Sequence, residues 1–302
     1  MQRNLNYTIT TDFHNKTIEQ FLKAQEYPHQ AIVHLKKTQE GIKKNGVWAY
    51  VTETLMEGDV LSLTLIEEAV SEHITPIQTD FSIIYEDDDI LVIDKPANMP
   101  IHPSINHHEG TLANGLLYYF SSQNIPFVFR CINRLDRDTT GLTIVAKHLL
   151  SGGILSRQVS EKSIQRTYQA ICQGCVPEYG TIDAPIARAD DSTIERCIRE
   201  DGEWAITHYR RLSYCKEKNV SLVELCLETG RTHQIRVHMH SIGHPLLGDC
   251  IYAPHTKVAV HIPRLMLHAS SLAFDHPTTK KRMEFAAPLP EKFSVALEKL
   301  KT

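Results

Sequence analysis

The sequence predicts an α+β protein, with a domain on a largely antiparallel or mixed sheet preceded by a small α/β unit. Three observations carry this. Segments of strand character outnumber those of helical spacing without regular alternation, which favours α+β over a doubly wound fold. The 302 residues suffice for about two domains at ~150 residues each. A polar stretch, Ser71 to Asp80, contains Pro76 and divides a short first part from a long second one. The expected units are residues 1–72, a linker at 73–80 and a large domain at 81–302.

In the first unit, Ile18, Phe21 and Leu22 have helical spacing, and Ile32 with Leu35 suggests a second short helix before the Asn45-Gly46 turn. Leu61, Leu63 and Leu65 alternate as in a half-buried strand. Helix, helix, turn and strand in this order faintly resemble an S4 RNA-binding module. Tyr27-Pro28-His29 stands where a basic helix start is expected, so the order equally suits a small α/β unit without that role. In the large domain, Ile83-Ile84-Tyr85 and Ile90-Leu91-Val92-Ile93 flank the acidic turn Glu86 to Asp89 as a hairpin. Thr143 to Ala146 and the alternating Val223, Leu225 and Leu227 read as strands. Phe293, Leu297 and Leu300 return to helical spacing after Pro288 and Pro290.

A hydrophobic fraction of 42% and a charged fraction of 23% are those of a globular protein and exclude disorder, collagen-like repeats and a coiled coil. No apolar run approaches the ~18 residues of a membrane span. Asp12, His14, Lys16 and Glu19 interrupt the N-terminus, so no signal-peptide core is expected there. The seven cysteines, odd in number and scattered, read as reduced cytosolic thiols and point to the cytoplasm. A formal charge of -4 argues against a blanket polyanion binder. However, residues 130–168 hold seven basic residues against three acidic ones, a local net of +4.

The densest segment chemically is Asn133-Arg134-Leu135-Asp136-Arg137-Asp138-Thr139-Thr140-Gly141-Leu142. Two arginines bracket Asp136, which favours its ionised form, suited to a nucleophile or base. Charge pattern alone fits a surface ion-pair cluster at a strand end at least as well. The second segment runs from Glu228 to His240 as Glu-Thr-Gly-Arg-Thr-His-Gln-Ile-Arg-Val-His-Met-His. Thr229-Gly230 makes a turn out of the strand and helical spacing follows. Arg231 is then expected at the helix start, within reach of a carboxylate on a neighbouring strand, and His233, Arg236 and His240 on one helix face. Such a face suits a polyanion, or is simply solvated. Asp94-Lys95-Pro96 begins a stiff loop leaving a strand, and Arg166-Thr167-Tyr168 opens another strand.

These segments, in this order, closely resemble the RluA/RluD-type family of RNA pseudouridine synthases over about residues 81–290. Asp94 to Pro96 matches the family's Asp-Lys-Pro loop, and Asn133 to Leu142 its His-Arg-Leu-Asp-Arg-x-Thr-Ser-Gly-Leu motif. Arg166 to Tyr168 matches the basic-x-Tyr strand, and Gly230 to His238 the Gly-Arg-x-His-Gln-Ile-Arg-x-His motif without departure. Leu267-His268-Ala269 matches the closing strand, with His276-Pro277 behind it. Asn133 replaces the family's usual His, Thr140 its usual Ser, and Arg166 a common Lys.

The resemblance implies an isomerase that converts uridine in ribosomal or transfer RNA to pseudouridine without cofactor or metal. It implies Asp136 as catalytic residue, Arg231 as its cationic partner, and Tyr168 stacked on the flipped uracil with its hydroxyl near the C5 proton. Arg134 is expected to fill the gap left by the flipped base and Leu227 to floor the pocket, while Arg137, His233, Arg236 and Lys95 contact RNA. The partner expected is RNA, bound by a monomer. Two other readings compete: a non-catalytic RNA-binding protein on a synthase-like domain, and a hydrolase pairing Asp136 with Asp138 or Glu228 at the ~5–9 Å that two carboxylates need. A metal site at His238, His240, His244, His268 and Asp249 finds no supporting motif, because His-x-His on a helix splays its rings by about 200°. The lone Cys172-x-x-Cys175 pair reads as a simple turn.

Overall fold

The computed structural model describes residues 1–104, 108–254, 262 and 264–301. It begins with β1 (Gln2–Thr8), α1 (Ile18–Ala24), α2 (His29–Lys37), β2 (Ile42–Lys44), β3 (Val47–Trp48) and β4 (Val60–Ile66). Thr17 caps α1 in a reciprocal capping box with Gln20. Asn45 and Gly46 both take positive φ, 53° and 81°, as a two-residue hairpin turn requires. The sheet runs β1-β4-β2-β3, all antiparallel. β1 has no counterpart in the sequence reading, because Leu5 is its one buried residue and the alternation is too weak to see.

The core of this unit is not self-contained. Ile18, Phe21, Leu22, Ile32, Leu35, Leu61, Leu63 and Leu65 pack with Leu150 and Ile154 from the large domain. Arg3 reaches Asp89 at 2.9 Å, and Glu67 accepts from Arg130 at 2.6 Å and from the Leu149 backbone.

The large domain contains β5 (Ser82–Glu86), β6 (Ile90–Lys95), α3 (Leu112–Ser121), β7 (Arg130–Cys131), β8 (Thr140–Ala146), α4 (Leu149–Ser160) and β9 (Gln165–Gln173). There follow β10 (Tyr179–Asp183), β11 (Ile186–Arg188), β12 (Arg196–Ile198), β13 (Ile206–Cys215), β14 (Val220–Leu227), α5 (Gln234–Ser241), β15 (Leu267–Asp275), β16 (Arg282–Ala286) and α6 (Glu291–Lys301). Ten strands form one mixed sheet, ordered β10-β13-β14-β9-β15-β8-β6-β5 with β7 on β8 and β16 on β15. Among the described residues the one parallel contact is β8 with β15, His268 opposite Thr140 and Ala269 opposite Gly141. Gly141 has φ 107°, and a Cβ there would sit 2.2 Å from the Ala269 carbonyl oxygen, so the approach needs glycine. The α+β expectation holds, and the large sheet is almost wholly antiparallel. No described helix is long and apolar enough to cross a membrane.

The site lies where β7 hands over to β8 and β14 to α5. Helix α5 buries Ile235 and Met239 against Leu135, Tyr168, Leu225 and Leu267. Each such side chain contributes ~1.5–3 kcal/mol on burial, so the helix is pinned by its apolar side and its polar side faces the loop before β8.

Candidate active site

The loop between β7 and β8 alternates inward and outward. Asn133 and Leu135 are buried, while Arg134 is exposed and Asp136 half-buried. The Asn133 side chain fixes the loop to β8 by donating to the Leu142 carbonyl at 3.1 Å and accepting from the Ile144 amide at 2.8 Å. Asn thus satisfies two backbone groups where the related motif usually carries His. Thr140 Oγ1 pairs with His268 Nδ1 at 2.9 Å, tying the loop's exit to β15.

The cation on Asp136 is Arg236, which corrects the expectation for Arg231. Arg236 Nη1 donates to Asp136 Oδ2 at 3.2 Å. Its Nε and Nη2 grip both oxygens of buried Asp249, at 2.7 and 2.8 Å, a bidentate pair that fixes the guanidinium plane. Burial works against the Arg236 charge, but the Asp249 bond and the two carboxylates raise its pKa above the ordinary value. Arg231 points the other way. It pairs with Glu203 and donates from Nε to the Trp204 carbonyl at 3.0 Å. Helix phase is the cause: His233 takes a left-handed conformation (φ 58°), so α5 starts at Gln234 and turns Arg236 inward. The Gln234 side chain accepts from the Arg231 amide at 3.0 Å and from Thr229 Oγ1 at 2.8 Å, closing the turn.

His233 Nε2 lies 4.0 Å from Asp136, and its Nδ1 meets the Tyr252 hydroxyl at 2.8 Å. Burial lowers the His233 pKa despite the attraction of Asp136, leaving a neutral imidazole near pH 7. Tyr252 also lies under the Arg236 guanidinium, 5.1 Å from its centroid, and 6.1 Å from the His240 ring. The expected shared face of His233, Arg236 and His240 therefore exists, gathered on Tyr252, but Arg236 is buried in it rather than solvated.

A cavity of about 440 Å³ opens on Asp136, within the range of ligand clefts. Its wall includes Arg134, Arg166, Tyr168, Trp204, Leu227 and Arg231. Strand alternation puts Arg166 and Tyr168 on the same face of β9. Burial pushes the Tyr168 phenol up, Arg166 opposing and the Asp136 charge adding to it, so it keeps its proton at neutral pH. Leu227 is half-buried at the end of β14 and lines the cavity. Arg134 makes no ion pair among the described residues, whereas Arg137 is exposed and paired with Asp138 at 3.0 Å.

Lys95 departs furthest from expectation. It is 0% exposed and cannot meet RNA from the surface. Its Nζ donates to the carbonyls of Pro96, Met99 and Arg137 at 2.8, 2.9 and 3.0 Å, joining the end of β6 to the Asp136 loop. Burial pushes its pKa down to about 7, against the pull of Asp136 and Asp138.

Three of the four histidines considered for a metal bond elsewhere, and the fourth, His240, is exposed beside Tyr252. His238 pairs with Thr207 Oγ1 and the Ala184 carbonyl, His268 with Thr140 and the Ala287 carbonyl, and His244 with the Gln173 carbonyl. Asp249 serves Arg236 instead. Among the described residues, Asp87, Asp89 and His276 do bring ligand atoms within 4.8 Å of one another. Their oxygens and nitrogens are already bonded to one another and to Arg3, His148, Tyr85 and Thr278. Sequence reasoning missed Tyr252 and Trp204, for which no motif gave a signal, and took Asp249 only as a possible metal ligand.

The family model for RNA pseudouridylate synthase matches residues 89–241, a span that contains Asp136, Tyr168 and Arg236. The chain is 41% identical over 251 residues to the uncharacterized RNA pseudouridine synthase YjbO of Bacillus subtilis, covering 83% of this chain and 87% of that one. It is 42% identical over 248 residues to the ribosomal large subunit pseudouridine synthase D of Pseudomonas aeruginosa, covering 78% and 76%. Among solved structures, human RNA pseudouridylate synthase domain containing 1 superposes with a TM-score of 0.55 at 26% identity, over 74% of this chain and 95% of that one.

Proposed function

The chain belongs to the RluA/RluD-type family of RNA pseudouridine synthases, isomerases that act on RNA, and we propose that Asp136 is the carboxylate that carries its reaction. The observation that supports this most directly is the placement of Asp136 at a cavity wall, with Arg236 held against it by a second, buried carboxylate. In the isomerisation the N1–C1′ bond of a uridine breaks, the uracil turns over, C5 joins C1′, and the proton lost from C5 is matched by one taken up at N1. Atoms balance within the nucleotide, and Asp136 must be ionised to begin the exchange. Arg236 neutralises that charge without taking it over, because its own fork is committed to Asp249. Tyr168 stacks on the extruded uracil above Leu227, and its protonated hydroxyl lies on the route of the C5 proton. Stacking of this kind contributes ~1–3 kcal/mol. Arg134, exposed and unpaired among the described residues, fills the space the base leaves. His233 and Arg137 flank the opening and contact the RNA backbone.

The substrate we propose is ribosomal RNA of the large subunit, supported by relatives named for that activity, with transfer RNA as the other member of the class. The residue 1–72 unit is proposed as an S4-like second grip on RNA, and the enzyme as a cytoplasmic monomer. The test has two arms. Pseudouridine mapping of total RNA with and without the gene should lose signal at large-subunit positions. Asp136→Asn should abolish turnover while RNA binding stays within about twofold. Residual turnover within about tenfold of the parent, ~1.4 kcal/mol of barrier, or release of free uracil, overturns the assignment.

A further inference from the structure

The cavity is lined by residues that the chemistry at Asp136 does not use. Among them is Trp204, an exposed indole on the loop after β12. Two anchors hold this loop: Arg231 pairs with Glu203 and bonds the Trp204 carbonyl, and the indole Nε1 donates to Asp183 at 3.1 Å. Lys162 lies over the ring, 4.4 Å from its centroid. A large aromatic kept 46% exposed by this many contacts is being presented rather than merely tolerated.

In the same lining, Arg166 is 9% exposed, and its Nε–H has no partner among the described residues. One weak bond at 3.4 Å joins Nη2 to the Thr229 carbonyl. A buried donor without a partner is costly, and here it belongs to a cation. Gly230 leaves it room, since a Cβ there would lie 2.9 Å from Nη1. The charges beside Trp204 are paired: Lys162 with Glu228 at 2.6 Å, Glu228 also with His208, and Arg231 with Glu203. Arg166 is left as a buried positive charge with no carboxylate within 4.0 Å among the described residues, so an anionic ligand meets a cation there.

We propose that this wall is a subsite for the nucleotide next to the target uridine, Trp204 stacking on its base and Arg166 binding the phosphodiester between the two. The inference rests on the placement of the target uridine against Asp136 and Tyr168. Stacking tolerates any base, so the subsite positions the strand more than it reads sequence.

The protein contains two tryptophans, Trp48 and Trp204, so Trp48→Phe leaves Trp204 as the sole indole reporter. Titrating this variant with octauridylate should quench its emission saturably. Adding Arg166→Met should keep the final quench, raise the half-saturating concentration about tenfold, and flatten the slope of log affinity against log salt by about 0.7, one phosphate contact on a single strand. Arg166→Lys should restore the midpoint to within about threefold, and the thermal midpoint of Arg166→Met should not fall. Octauridylate that binds by anisotropy without quenching Trp204, or that fails to bind, overturns the proposal. So does an Arg166→Met variant with unchanged midpoint and salt slope. Asp136→Asn should leave the titration untouched, so turnover surviving in that variant would sink the catalytic assignment while the quenching stands.

Discussion

The two arginines that follow β14 offer the sharpest test of the site. Arg236→Lys keeps a positive charge and removes the fork. At present Nε and Nη2 hold Asp249 at 2.7 and 2.8 Å, and Nη1 reaches Asp136 at 3.2 Å. An ammonium is a point charge on a flexible stem. Anchored on Asp249, it gives up the fixed contact with Asp136. A hydrogen bond to a charged group contributes ~1.5–3 kcal/mol, and losing that much from the transition state slows the reaction ~10- to 150-fold. Arg231→Met breaks an ion pair between side chains that are 38% and 69% exposed. Such a pair is worth ~0–1 kcal/mol, so the chemical step should stay within about fivefold, with any loss in affinity through the Trp204 loop. Single-turnover kinetics at saturating enzyme on an RNA with a mapped site separate the chemical step from binding. If Arg231→Met loses more than tenfold in that step while Arg236→Lys retains it, the assignment of Arg236 as partner of Asp136 is wrong.

Lys95→Met should lower stability by about 3 kcal/mol, because three carbonyls lose their shared donor at about 1 kcal/mol each; an unchanged melting curve would refute the tie to the Asp136 loop. Acid should weaken the tie between the turn joining β5 to β6 and the segment after β15. Burial works against ionised Asp87, but bonds from His276, the Asp89 and Ile90 amides and Tyr85 bring its pKa down to about 2. The folded pKa lies below the unfolded one, so this stabilisation is complete above pH ~4 and is lost as pH falls from ~4 to ~2. Asp87→Asn should therefore flatten acid unfolding in that window, by about 2 kcal/mol at most. Arg134→Ala should lose more activity on a structured stem-loop than on a single strand with the same target, since extrusion costs more from a stack. Tyr168→Phe should lose the same factor on both, and an unchanged rate ratio in Arg134→Ala makes Arg134 an ordinary phosphate contact.

What the sequence made legible, and what it hid, follows from the physics at each position. Strands β6, β8 and β14 announce themselves through apolar runs or period-two alternation, and the segment around Asp136 through the density of charge about one carboxylate. These are properties of consecutive residues. Lys95 was hidden because lysine is ordinarily a surface residue, and only the fold brings the Met99 and Arg137 carbonyls to one ammonium. The motif match points to Arg231 as the partner, and spacing cannot correct it, because spacing tells which residues share a helix face, not where the helix begins. That start is set by one left-handed residue, His233, and by the Gln234 cap, neither of which periodicity records. Moving the first helical residue by one position rotates the face by about 100°, enough to exchange an inward arginine for an outward one. Asp249 lies 13 residues beyond Arg236 and owes its role wholly to that phase. The carboxylate we propose as catalytic is therefore readable from a motif, whereas its partner depends on how the following turn is wound, and motif-matched cations after a strand-to-helix turn need the turn's geometry before any is paired with the carboxylate.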